Sequence, residues 1–344
     1  MSGDVQGLLS VSELRRARID EIVQRLRSAK HVLMTTHVNA DGDGAGSETA
    51  LAAWLESVGV RVTIVNPTPY PENFRFLLHR QGLTVDATDP SLPEIVAGVD
   101  LGLVVDTSEP RRIAPLEKFF ARLPTIVVDH HPAGPAVISP DGIMDPEAAA
   151  AGELVYDILA ASGDPWPFAA LLGIYVAIVS DTGSFRFGNT TPRAHVIAAE
   201  MISRGVDPET VFEKIFATAP MRRLELLREA LAHLHRDEKN GIAWIVVSRE
   251  ITDRLGSTLD DYDGLIEHVR SIEGTKVAIM FREAGSDETK ISLRSSGSVD
   301  VNRIARKFGG GGHVKASGAN VALPLGEAVK KVVEEVRKAV EEDA

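Results

Sequence analysis

Three times in the first half of this chain, an apolar run of strand length stops on an acid or a histidine. Val32-Leu33-Met34-Thr35-Thr36 runs into His37, Leu101-Gly102-Leu103-Val104-Val105 into Asp106, and Thr125-Ile126-Val127-Val128 into Asp129-His130-His131. Such runs read as strands buried on both faces, as a parallel sheet covered by helices requires. A parallel sheet carries all its strand ends to one edge, where open α/β sheets hold their ligands. Apolar spacing between the runs predicts helices over 12–28, around Ala50–Leu55, over 71–79, and over 148–179 with a break near Gly163-Asp164-Pro165. The expected fold class is therefore α/β: a parallel sheet with helices on both faces, then a helical linker and a smaller α/β domain with a mixed sheet.

The densest of these strand ends is His37-Val38-Asn39-Ala40-Asp41-Gly42-Asp43-Gly44-Ala45-Gly46-Ser47. Two positions apart in an extended turn, Asp41 and Asp43 point to different sides and can serve two metals. Asp181, in Ser180-Asp181-Thr182-Gly183, closes the helical stretch with another acid. Each residue alone has a plainer reading: Asp106 as a turn cap, one histidine of the Asp129-His130-His131 run as a satisfied core side chain, Asp41-Gly42 as a surface turn. Taken jointly, with each one following an apolar segment, His37, Asp41, Asp43, Asp106, His130 and Asp181 form a candidate metal-ligand set. That number of ligands suits two divalent cations ~3.5–4 Å apart, which make hydroxide available near neutral pH and draw charge from a phosphoryl group under in-line attack. Carboxylates with some imidazole favour Mn²⁺ or Mg²⁺ and also admit Zn²⁺ or Co²⁺.

After about residue 240 the chain changes character. Strands are expected at 242–247, 276–281 and 289–294, the last two as a hairpin, with a helix over 299–308, a strand near 319–323 and a closing amphipathic helix. The expected domain limits are 11–219, a linker 220–240, and 241–344. The formal net charge of −12 argues against a protein that coats long duplexes. From Lys276 to Lys315, however, eight Lys/Arg face four Asp/Glu, a local anion-facing surplus. Arg294 is the best candidate there for a bidentate phosphate contact. Lys290, Arg303, Arg306 and Lys307 read equally well as solvated faces. Gly309 to Gly312 followed by His313 read as a cradle of backbone N–H groups for phosphate rather than a linker, so Gly310, Gly311, Gly312 and His313 join the substrate-binding candidates. Phe185, Phe187 and Tyr262 are the aromatic rings available to stack a base. The chain has no cysteine, no apolar run long enough to span a membrane, and no leader pattern at Met1-Ser2-Gly3-Asp4-Val5, so a cytoplasmic protein is expected.

Asp129-His130-His131, in order with His37…Asp41…Asp43, Asp106 and a later Asp181, resembles the motif series of the DHH phosphoesterase family. Phe308-Gly309-Gly310-Gly311-Gly312-His313-Val314-Lys315-Ala316-Ser317-Gly318 resembles the signature of the substrate-binding domain, DHHA1, that accompanies it. Length and domain content are similar to those of the nanoRNase group. The resemblance implies a metal-dependent phosphoesterase that degrades short oligoribonucleotides to 5′-mononucleotides and dephosphorylates adenosine 3′,5′-bisphosphate (pAp). It further implies one metal on His37, Asp41 and Asp106 and another on Asp43, Asp106, His130 and Asp181, with Asp106 shared. His131 would contact the phosphate or protonate the leaving oxygen, Asp129 would orient an imidazole, and a homodimer is expected. The other readings are a cyclic-dinucleotide or pApA phosphodiesterase, an inorganic pyrophosphatase, and a nucleotide-binding regulator without turnover. Ala40, Gly44 and Ser317 depart from residues common in the family, and none of them is a ligand.

Overall fold

The computed structural model of this protein describes residues 5–132 and 134–342. Met1–Asp4, which carry most of the leader-peptide expectation, lie outside the described residues. The chain divides into two compact units, residues 1–217 and 218–344.

The first unit is built on a six-stranded parallel sheet. Helix α1 (Glu13–Ser28), capped by Ser12, precedes β1 (His31–Thr35). Then come α2 (Gly42–Ser57), β2 (Arg61–Asn66), β3 (Thr84–Asp86), β4 (Leu101–Val105), β5 (Thr125–Asp129) and β6 (Gly142–Met144). Helices α3 (Ala151–Ser162), α4 (Phe168–Asp181) and α5 (Pro192–Ser203) complete the unit's main elements. The strand order is β3-β2-β1-β4-β5-β6. The order reverses between β1 and β4, so their carboxyl ends flank the crevice in which such sheets bind ligands. All residues of β1, β4 and β5 are buried. Val32, Met34, Leu103, Val105, Ile126 and Val128 face the larger core with α1–α5, and Leu33, Val65, Val104 and Val127 face a smaller one with Leu92, Ile113 and Phe120.

Helix α2 runs buried through its first fourteen residues, and helices without a polar face belong in an interior. It crosses α4 where Gly46 meets Gly173; a Cβ on either would run into the other's carbonyl oxygen. That close approach fixes where Asp43 and Asp181 stand. The helix expected over 71–79 is a 3₁₀ turn, Glu72–Leu77, that buries Phe74 and Leu77. With Pro71 at its start and only two residues to bury, it gains too little to extend.

In the second unit, α6 (Met221–Ala232) buries Leu226 and Ala230 against β8 (Ile242–Val247), α7 (Arg249–Leu255) and α8 (Leu265–Arg270). A second six-stranded sheet has the order β11-β12-β10-β9-β8-β7, from β7 (Leu234–Asp237), β9 (Val277–Gly285), β10 (Glu288–Ser295), β11 (Gly311–Gly312) and β12 (Ala316–Val321). It is mixed as expected: β8 and β9 are parallel and the other pairs antiparallel. Helices α9 (Val301–Lys307) and α10 (Leu325–Glu342) cover one face. The last strand lies three residues earlier than its expected start, because Ala316–Val321 pairs fully with Thr289–Arg294. Among the described residues, no helix is long and apolar enough to cross a membrane.

Candidate metal centre

The six candidate ligands come from five places in the chain and meet at the carboxyl edge of the first sheet. His37 ends the segment after β1. Its Nδ1 lies 2.9 Å from the Val38 carbonyl, so Nδ1 carries the proton and Nε2 turns inward. There Nε2 sits 3.2 Å from Asp106 Oδ2 and 3.8 Å from Asp41 Oδ2. Asp41 does two things at once: Oδ1 caps α2, accepting from the Asp43 and Gly44 N–H groups, while Oδ2 faces His37. Asp43 points to the other side, as expected, but because it lies in the first turn of the helix rather than in an extended turn.

Asp43 is held by α3. Its Oδ2 accepts from Ala151 N at 2.6 Å and its Oδ1 from Gly152 N at 2.9 Å, so the carboxylate sits on the positive end of that helix. His130 lies beyond the end of β5 and is built like His37. Nδ1 is 3.2 Å from the Ala148 carbonyl, and Nε2 is 3.6 Å from Asp43 Oδ2, 3.5 Å from Asp106 Oδ1 and 3.6 Å from Asp181 Oδ2. Asp181, the last residue of α4, is steadied by the Asn189 amide at 3.1 Å.

Asp106 stands between the two groups, one oxygen toward each histidine. Its backbone takes the left-handed region at φ 59°, where its N–H still donates to Val128 O at 2.8 Å. Residues held there cost about 1–3 kcal/mol and persist where the surroundings impose them.

Three sets of donor atoms come within 4.8 Å of one another: His37/Asp41/Asp106, Asp43/His130/Asp181 and Asp106/His130/His131. Ligands ~2.1 Å from one ion and at right angles lie about 3 Å apart, close to these separations. His37 Nε2, His130 Nε2 and Asp106 Oδ1 are buried and make no hydrogen bond despite that proximity. Burial opposes charge on His37, yet the Asp106 and Asp41 carboxylates raise it to about 10. Burial, and then the Asp106, Asp181 and Asp41 carboxylates, push Asp43 well above the ordinary carboxylate range. Burial, opposed by His130 and aided by Asp41 and Asp106, lifts Asp181 to about 7. Orphaned imidazole nitrogens facing crowded carboxylates offer the donor chemistry a divalent cation takes, and these residues would fit two such ions.

His131 lies beside this set. Its Nδ1 is 2.8 Å from Asp129 Oδ1, which also accepts the His131 N–H at 3.0 Å. Against burial, Asp129 raises His131, and against burial His131 lowers Asp129. The sequence reading missed Arg112, whose Nη1 is 3.4 Å from His131 Nε2 and whose carbonyl accepts from Val38 N at 2.7 Å. A signal existed: Arg111-Arg112 follows the strand-end Asp106 by a few residues in an acidic chain. Asn189 and the α3 N–H groups carried no such signal.

The family described as "DHH family, N-terminal domain" matches residues 31–178, and the DHHA1 domain matches residues 243–342. The chain belongs to the DHH family. A Thermus thermophilus relative named bifunctional oligoribonuclease and PAP phosphatase NrnA is 30% identical over 311 residues, 89% of each chain. The Bacillus subtilis protein of the same name is 28% identical over 88% of this chain and 92% of its own. Among solved structures, an exopolyphosphatase-related protein from Bacteroides fragilis superposes with a TM-score of 0.87 at 26% identity, covering 95% of this chain and 98% of that one. RecJ from Thermus thermophilus, solved with Mn²⁺, shares the fold at a TM-score of 0.55 and 15% identity, over 97% of this chain and 56% of RecJ.

The DHHA1 candidates lie in the second unit. The N–H groups of Gly309, Gly310 and His313 donate to Arg306, Ala305 and Ala316 carbonyls, so these three do not form a cradle of free donors. The glycines instead allow contact: a Cβ on Gly310 would run into Gly318 O, and Gly312 has φ 137°. Gly311 and Gly312 form the short strand β11, and His313 is exposed. Arg294 lies on the half-exposed face of β10, its Nε 3.1 Å from Glu267 Oε1. Of the candidate stacking rings, Phe185 lies flat on His195, 4.6 Å between centroids, and Tyr262 is buried.

Proposed function

We propose that this DHH protein is a two-cation phosphoesterase that hydrolyses short oligoribonucleotides to 5′-mononucleotides and removes phosphate from pAp. The observation that carries the reading is the pair of donor sets joined by Asp106, in a chain whose NrnA-named relatives align along nearly its whole length. His37, Asp41 and Asp106 would hold one ion, and Asp43, Asp106, His130 and Asp181 the other. The carboxylate-rich set suits Mn²⁺. Bound there, the cations supply Lewis acidity, making water more acidic and drawing charge from phosphoryl oxygens.

The chain's own groups do the rest. The Val38 and Ala148 carbonyls fix the tautomers of His37 and His130, so both present Nε2 inward. Asp129 holds the His131 ring through Nδ1; Nε2, which faces the Arg112 guanidinium at 3.4 Å, would have to turn from that contact and carry a proton to serve the leaving oxygen or a phosphate oxygen. Arg112 holds positive charge on that side. Glu267 on Arg294 is a partner that a phosphate would have to share or displace.

The test is hydrolysis of labelled dinucleotides, pAp, cyclic di-AMP and pyrophosphate with Mn²⁺, alongside chelated controls. Turnover of dinucleotides and pAp that vanishes on chelation supports the reading. Turnover confined to pyrophosphate or to the cyclic dinucleotide, or none on any substrate, overturns it.

A further inference from the structure

Behind the metal centre, the first unit buries a cluster of charge to which none of the candidate ligands belongs. Glu153 and Asp157 are four residues apart on α3 and so share a face. Arg15 reaches that face from α1, its Nη2 2.5 Å from Asp157 Oδ2 and its Nη1 2.7 Å from Asp145 Oδ2, just after β6. Arg193 reaches it from the first turn of α5, with Nε 2.9 Å from Glu153 Oε1 and Nη2 paired with Asp157. The Glu153 and Asp157 side chains are 4% and 5% exposed. Burial raises both carboxyls above their ordinary range, and Arg193 and Arg15 oppose it.

Replacing buried ion groups by apolar side chains is often neutral or stabilising, so such a cluster is a poor source of stability. What it does here follows from where it is attached. Glu153 Oε2 accepts from Ala149 N at 3.1 Å, and Asp145 Oδ1 from Glu147 N at 3.0 Å. The same stretch holds three candidate ligands. The Ala148 carbonyl meets His130 Nδ1, the Ala149 carbonyl accepts from the Asn189 amide that steadies Asp181, and the Ala151 and Gly152 N–H groups donate to Asp43. Residues 145–153 thus meet ligand-bearing groups on one side and the arginine pair on the other. His37, Asp41 and Asp106 take their places elsewhere, from the Val38 carbonyl, the start of α2 and the Val128 carbonyl.

We propose that Arg15 and Arg193, gripping Glu153, Asp157 and Asp145, are positioning residues for one of the two cations, the one assigned to Asp43, His130 and Asp181, and leave the affinity for the other unchanged. This rests on the two-cation reading above. The arginines stand on separate helices, and a guanidinium's planar fork holds its partners at set angles, so the stretch is fixed from two directions. The carboxylates and imidazole it supports are then in place before an ion arrives, and the ion does not have to order them. Outer hydrogen-bond partners of metal ligands are typically worth about 10–100-fold in metal affinity.

The full chain would be compared with R193Q and E153Q, and with R27Q as a control. R27Q breaks a different ion pair, Arg27 Nη2 to Asp164 Oδ1 at 2.5 Å, between α1 and the chain beyond α3. Mn²⁺ titrated into the metal-free protein by calorimetry should bind R193Q and E153Q at two unequal sites, one at wild-type affinity and one about tenfold weaker. R27Q should melt lower and keep both affinities. Half-maximal turnover should need about tenfold more Mn²⁺ in R193Q and E153Q, and saturating Mn²⁺ should restore the wild-type kcat, because only affinity has changed. In chelator, the Ala151 and Gly152 amides should exchange about tenfold faster than in wild type, while the Asp43 and Gly44 amides, bonded to Asp41, keep their rates. R193K keeps the charge and loses the fork, so it should fall between wild type and R193Q, and it stands in if R193Q does not fold. Equal weakening at both sites, unchanged affinity at both, or turnover that saturating Mn²⁺ does not restore overturns the proposal. If the wild-type protein binds no Mn²⁺, the two-cation reading fails, and amide exchange in chelator still judges the positioning role.

Discussion

Asp106 is the residue on which both donor sets depend. It presents Oδ2 to His37 and Oδ1 to His130 from a left-handed backbone that Asn also tolerates. Asp106→Asn should therefore fold. It should lose at least a hundredfold in turnover, because one shared oxygen becomes an amide nitrogen that cannot ligate, and bind fewer than two Mn²⁺ per chain by calorimetry. The sequence made Asp106 a candidate by placing it at the end of an apolar run. It could not say that two different histidines would reach it, since that depends on β4 lying between β1 and β5.

At the scale of elements, the α2–α4 crossing positions two candidate ligands at once. Gly173→Ala places a methyl against the Gly46 carbonyl and must spread the helices, a cost of about 1–3 kcal/mol for overpacking. Because Asp43 starts one helix and Asp181 ends the other, the variant should weaken Mn²⁺ binding as well as lower the melting temperature. A lower midpoint with undiminished Mn²⁺ affinity would show that the crossing does not set the site. β1 carries a separate pH signature at its other end. Burial, then Arg61, lower His31 from its ordinary 6.5, and its Nε2 is 2.9 Å from Thr63 Oγ1. The fold therefore prefers the neutral ring. That contribution is complete above pH ~6.5 and is lost as pH falls from there through the lowered folded-state value. The stability gap between wild type and His31→Gln, read from urea midpoints, should narrow below pH 6.5 and stay constant above it.

For the molecule as a whole, a ligand that binds only the folded state stabilises by mass action, ~2.7 kcal/mol at a hundred times its Kd. Mn²⁺ should therefore raise the thermal midpoint. Hydrogen exchange should show new protection at the carboxyl ends of β1, β4 and β5 and the start of α3, with little change in β8–β10. Protection spread evenly over both units would contradict a metal centre confined to the first. By itself, the sequence determined the longer strands, the order of the motifs and the identity of the ligand candidates, because buried parallel strands must be apolar and an acid or histidine ending one is conspicuous; the short strands β3, β6, β7 and β11 carried no such signal. It says less where the cause is contact at a distance: the α3 N–H groups on Asp43, Arg112 beside His131, and Gly310 and Gly312, which serve close packing where free phosphate donors were expected. Those were decided by tertiary structure, because hydrogen-bond partners and counterions are set by which segments become neighbours, and residue spacing along a chain does not encode that.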